Sequence, residues 1–123
     1  MPADRAETVA GWIGDQQIAV CLPFLLEAGY SARSAADLKA MMARLEQLPR
    51  VEVESEVERL ALSAQRQLAE VGHHRLAPTD LVIAACAHRA AKGVLHYDRD
   101  YDLIAEHTDL SFESVWVADP GTL

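Results

Sequence analysis

The segment Pro78–Asp100, PTDLVIAACAHRAAKGVLHYDRD, decides how this chain is read. Leu81 to Ala87 is apolar on every side of a helical wheel, which predicts a helix buried all round. Gly93-Val94-Leu95-His96-Tyr97 has the short apolar pattern of a strand, and Asp98-Arg99-Asp100 follows at once. A helix that leads into a strand runs antiparallel to it, so its first turn lies at the strand's carboxyl end. Asp80, at the start of the buried helix, therefore shares an edge with Asp98 and Asp100. In open α/β sheets this is the edge where ligands bind.

Outward from this segment the same alternation continues. Ala6, Val9, Ala10 and Ile13 keep helical spacing, and Ile18 to Leu22 is a continuous apolar run of buried-strand type. Pro23 opens a helix over Phe24 to Tyr30, with Glu27 its single charge. Ser34 is placed to cap a helix whose face is Leu38, Met41, Met42, Leu45 and Leu48, stopped by Pro49. Val51-Glu52-Val53 alternates like a strand. Val57, Leu60, Ala61, Ala64, Leu68 and Val71 then form the clearest amphipathic helix, ended by Gly72. His73 to Thr79 reads as a polar loop, Leu103 to Glu106 as a short helix, and Ser114 to Val117 as a last strand before Pro120-Gly121. Helices alternating with short apolar strands predict an α/β fold, a three-layer α/β/α sandwich around a mostly parallel sheet.

Size and composition suit one domain over residues 1–123: the chain is half apolar and 24% charged. No apolar run approaches the ~20 residues of a membrane span. Met1 to Glu7 carries Asp4, Arg5 and Glu7 with no apolar leader behind them, so a cytoplasmic location is expected. Cys21 and Cys86 lie inside apolar segments of different elements; a disulfide between them is one reading, and buried reduced thiols are the one expected. The net charge of −8 argues against a broad basic nucleic-acid surface. It does not exclude a nuclease, because a carboxylate metal site is itself acidic and a bound cation reverses its sign.

Glu27, early in the helix after strand 18–22, joins Asp80, Asp98 and Asp100 on the same edge. Clustered carboxylates repel unless a cation joins them. Hard oxygen donors favour Mg²⁺ or Mn²⁺ over zinc. Such an ion suits phosphodiester hydrolysis. Each acid also has a structural reading: Asp80 as a helix N-terminal charge, Asp98 and Asp100 as turn and cap residues, Glu27 as a solvent-facing charge. Asp37, Glu46, Glu54, Glu56 and Glu58 look like ordinary solvated charges. Arg33, Arg75 and Arg99 are candidates for phosphate contact or for salt bridges to the acids. His73-His74 lacks zinc-finger spacing, and His88, His96 and His107 read as structural. There is no P-loop, GxSxG elbow or dinucleotide glycine pattern.

Several segments resemble the PIN-domain family, and within it the VapC-type toxins. These are Ile18-Ala-Val-Cys21 with the Glu27 helix and Tyr30-Ser-Ala-Arg-Ser34, His74-Arg75 with Pro78 to Ala85, Val94 to Tyr101, and Val115-Trp-Val117 with Pro120-Gly121. The resemblance implies a Mg²⁺- or Mn²⁺-dependent endoribonuclease, the toxin of a type II toxin–antitoxin pair. It further implies an RNA substrate, a homodimer and a VapB-type antitoxin partner. Glu27, Asp80 and Asp98 match the family's metal-binding and catalytic acids, and Asp100 a further, more variable acidic position. The family also has a first central strand ending in Asp-x-Ser, for which these residues show no counterpart. In the family order that strand would lie between strands 18–22 and 93–97. The alternative reading is a catalytically impaired PIN remnant that captures antitoxin, its acidic groove receiving an arginine-bearing peptide.

Overall fold

The computed structural model describes residues 19–96 and 98–116. The helix read over Ala6 to Ile13, and the ends of strands that reach Ile18, Tyr97 and Val117, lie outside the described residues, as does Pro120-Gly121. In chain order the elements are β1 (Val20–Cys21), α1 (Leu22–Tyr30), α2 (Ala35–Leu45), β2 (Arg50–Val51), α3 (Ser55–Glu70), α4 (Pro78–Arg89), β3 (Val94–His96), α5 (Asp100–His107) and β4 (Ser114–Trp116). Among the described residues all strand pairing is parallel, and helices alternate with the strands along the chain, so the fold is α/β as the alternation of segments predicts.

Local chemistry explains the boundaries. Ser34 accepts a hydrogen bond from the Asp37 amide at 3.0 Å, and Asp37 accepts one from the Arg33 amide at 3.0 Å, which closes the N-terminus of α2 reciprocally. Pro23 and Pro78 occupy first-turn positions of α1 and α4, where a missing N–H costs nothing. Gly72 adopts φ +80° just past α3, the left-handed position that favours glycine. Helix α5 is longer than the sequence reading placed it: it starts at Asp100, because Asp98 accepts from the Asp100 amide at 2.9 Å and turns the chain immediately after β3.

The core lies where α3, α4 and α5 meet. Val57 and Leu68 of α3 and Ile104 of α5 are fully enclosed, each contributing about 1.5–3 kcal/mol of burial. Leu81, Ala84, Ala85, Cys86 and Ala87 of α4 are buried, but Val82 and Ile83 are only half-buried, so the apolar run is not enclosed on every side: Val82 faces the surface cavity beside α1. The small side chains let α3 and α4 approach closely. Cys21 and Cys86 are buried and free, in accord with the reduced-thiol reading. No helix among the described residues is long and apolar enough to cross a membrane.

Among the described residues the strands form two separate pairs, β1 with β2 and β3 with β4. Val20 lies opposite Arg50, and His96 opposite Trp116. Among the described residues β1 and β3 do not pair with each other, and both are buried: Val20, Cys21, Val94 and His96.

Candidate metal centre

Three elements bring three acids together. Asp80 sits in the first turn of α4, Asp98 directly after β3, and Asp100 in the first turn of α5. One carboxylate oxygen from each lies within 4.8 Å of the others. Asp80 and Asp100 are half-buried and Asp98 is exposed. The donor set is oxygen only, the chemistry of a hard divalent cation. The residues therefore fit a metal of that class.

Electrostatics match the geometry. The Asp80 carboxyl is raised above its ordinary value, first by burial; the Tyr101 hydroxyl opposes this, while the charges of Asp98, Asp100 and Glu27 add to it. Asp100 is raised too, by burial and by Asp98, with Arg99 pulling it back. A cation at the cluster would relieve both.

Glu27 comes to the same region without joining the tight trio. It is exposed on α1 and lines a surface cavity of about 420 Å³ with Leu22, Leu26, Tyr30, Pro78 and Val82. The apolar neighbours in its sequence suggest burial, yet only Leu25 of α1 is buried. Arg33, Arg75 and Arg99 are exposed and form no salt bridge with a described acid. The acids given no role behave accordingly: Glu46 pairs with Arg50, Glu54 with Arg89 and Glu56 with Arg59.

A second layer of side chains, which the sequence reading left without function, stands behind the acids. The Tyr101 hydroxyl donates to Asp80 Oδ1 at 2.9 Å. The Asp98 amide donates to His96 Nδ1 at 3.0 Å. His96 Nε2 is 2.6 Å from Ser114 Oγ, which donates to Asp102 Oδ1 at 2.6 Å, and Trp116 Nε1 donates to Asp102 Oδ2 at 2.9 Å. Ser114's hydrogen bond holds the Asp102 carboxyl below its usual range, ahead of the opposing effect of burial. Burial lowers His96, against the pull of Asp102 and Asp98. The available signal was the period of two that puts His96 on the inward face with Val94.

With this arrangement in view, the comparisons with known proteins are decisive. Residues 2–107 match the PIN domain family. The chain belongs to the PIN-domain family. Among curated proteins it is 39% identical to ribonuclease VapC18 of Mycobacterium tuberculosis, over 98% of this chain and 91% of that protein. It is 37% identical to ribonuclease VapC51 of the same organism, covering 80% of this chain and 70% of that one. Ribonuclease VapC21, also from Mycobacterium tuberculosis, is 38% identical over 79% of this chain and 70% of its own length. The PIN domain described here is thus of the VapC type.

Proposed function

We propose that this PIN domain is a metal-dependent endoribonuclease and the toxin of a type II toxin–antitoxin pair. The observation that carries the reading is the convergence of Asp80, Asp98 and Asp100 within 4.8 Å, in a chain 39% identical to a ribonuclease. Asp80, Asp98 and Asp100 would hold Mg²⁺ or Mn²⁺, with Glu27 as the fourth acid at the edge of the cluster. When bound, such an ion supplies positive charge against phosphate and acidifies water at neutral pH.

The protein's own groups position and tune. The Tyr101 hydroxyl fixes one oxygen of Asp80 and leaves the other open to the cluster. Asp98 spends one oxygen on the Asp100 amide, which sets the turn between β3 and α5. Glu27, Asp80 and Asp98 are the acids assigned to catalysis, and Asp100 completes the ligand set. Exposed Arg33, Arg75 and Arg99 are assigned to RNA phosphate, where guanidinium pairs bidentately.

The apolar cavity beside Glu27 supports a peptide partner. Leu26 is 65% exposed and Tyr30 90%, next to the acidic group. A VapB-type antitoxin segment carrying apolar side chains and an arginine would satisfy both features. The reading includes a cytoplasmic homodimer with one domain per chain.

The test is RNA cleavage by this chain with Mn²⁺, with EDTA, and with Asp98→Asn. Cleavage that needs both cation and Asp98 supports the nuclease. Cleavage that persists in EDTA refutes it. A folded protein that binds antitoxin but turns over no RNA identifies the impaired, binding-only form.

A further inference from the structure

His96 of β3 is a buried polar side chain that bonds to β4 and packs against α5, with both ring nitrogens engaged. Its Nδ1 accepts from the Asp98 amide at 3.0 Å, so that nitrogen carries no proton and Nε2 does. Nε2–H then donates to Ser114 Oγ at 2.6 Å, and the Ser114 hydroxyl donates to Asp102. Asp102 is held in turn by the Trp116 indole N–H. The direction of every bond in this chain is fixed by its end: a carboxylate accepts only, so Ser114 must donate to it and accept from His96. One ring face lies against Tyr101 with centroids 4.8 Å apart, and an edge meets Trp116 at 4.9 Å. Tyr101 is the residue whose hydroxyl holds Asp80.

We propose that His96 is the positioning residue of the acid cluster: its Nδ1 fixes the backbone of Asp98, and its ring backs the tyrosine that fixes Asp80. One imidazole thereby sets the relative placement of two acids contributed by different elements. Ser114 and Asp102 act on the cluster through it, by keeping the proton on Nε2 and Nδ1 free to accept. The role rests on reading the cluster as a cation site, and outer-shell partners of this kind are worth about 10–100-fold in metal affinity.

Two substitutions split the imidazole by atom. In His96→Asn the amide oxygen takes the place of Nδ1 and keeps the acceptor for Asp98, while the reach to Ser114 is lost. In His96→Gln the terminal amide takes the place of Nε2 and the acceptor is lost; His96→Phe keeps the ring and neither nitrogen. Mn²⁺ affinity measured calorimetrically is expected to stay within about 3-fold of wild type in the Asn variant and to fall about 10-fold or more in Gln and Phe. A residue that merely fills space gives the reverse order, with Phe best and Asn worst. Amide exchange read by NMR on the metal-free protein gives a second measure, with Asp98 protection kept in wild type and Asn and lost in Gln and Phe. The wild-type imidazole nitrogens should report the proton on Nε2. Failure of wild type to bind Mn²⁺ would remove the cation reading alone; the Asp98 protection pattern still decides the role of His96. Equal protection in all variants, or an affinity order that follows side-chain volume, overturns it.

Discussion

Replacing Asp98 by asparagine should make the metal-free protein more stable while disabling it. The asparagine oxygen can still accept from the Asp100 amide, so the turn into α5 survives. What is lost is one negative charge from a group of three whose oxygens lie within 4.8 Å of one another. At that separation a pair of like charges costs about 0.9 kcal/mol in water-like surroundings. Two such pairs disappear. Asp98 is exposed, so solvent screening discounts the sum, and a net gain of about 1 kcal/mol is expected near neutral pH. For 123 residues this corresponds to a rise in Tm of about 4 °C. Thermal unfolding by circular dichroism in chelator and low salt measures it. Salt near 1 M, where the screening length is about 3 Å, should remove most of the difference. Mn²⁺ should reverse the order, because a cation at 100 times its Kd adds about 2.7 kcal/mol to whichever protein binds it. An Asp98→Asn protein no more stable than wild type in chelator refutes the reasoning. So does a gain that ignores salt.

Leu68→Ala should lose about 2.7–5 kcal/mol in denaturant unfolding, since Leu68 is fully enclosed between α3 and its neighbours. Gly93→Ala would put a methyl group 2.8 Å from the Glu113 carbonyl oxygen on the backbone of the adjoining chain; separation of β3 from β4 and a loss of about 1–3 kcal/mol are expected, read as a lowered Tm. The pH dependence has two opposing parts in chelator. Asp80 is raised, so its contribution is fully present below its ordinary value and is lost as pH rises through the folded value. Asp80→Asn should therefore flatten the decline in Tm above about pH 4. Asp102 is lowered, so its contribution is present above its ordinary value and lost as pH falls through the folded one. Asp102→Asn should flatten the acid limb, and Tm profiles that match wild type would refute both assignments.

The features legible in the sequence were those set by local chemistry. The Ser34 cap and the Gly72 stop depend on neighbours a few residues away, and each stands where the residues place it; the apolar run in α4 is buried except at Val82 and Ile83. The edge shared by Asp80, Asp98 and Asp100 followed from chain direction alone. Glu27 was harder, because the apolar residues around it are themselves at the surface: Leu22 is 48% exposed and Phe24 39%. Burial there is decided by what packs on α1, which no periodicity encodes. His96 was read as structural, yet its bonds run to Asp98, two residues away, and to Ser114, eighteen residues away. Only the parallel register of β3 against β4 brings the second of these within reach.

Among the described residues the two strand pairs contribute unequally to the core and to the site. Asp80, Asp98, Asp100, His96, Tyr101 and Ser114 all belong to the part built from α4, β3, α5 and β4, which shares the dense core. Glu27 belongs to the other part, where β1 and β2 pair over two residues each and α2 contains no buried residue. Local unfolding follows such differences in burial. Excursions that loosen β1, α1, α2 and β2 would part Leu22, Leu26, Glu27 and Tyr30 from Pro78 and Val82 of α4, splitting the apolar cavity along its length while the three aspartates keep their places. The edge of the site would thus breathe over a fixed centre, and a partner seated on that edge would be gained or lost without dismantling the acids beneath it.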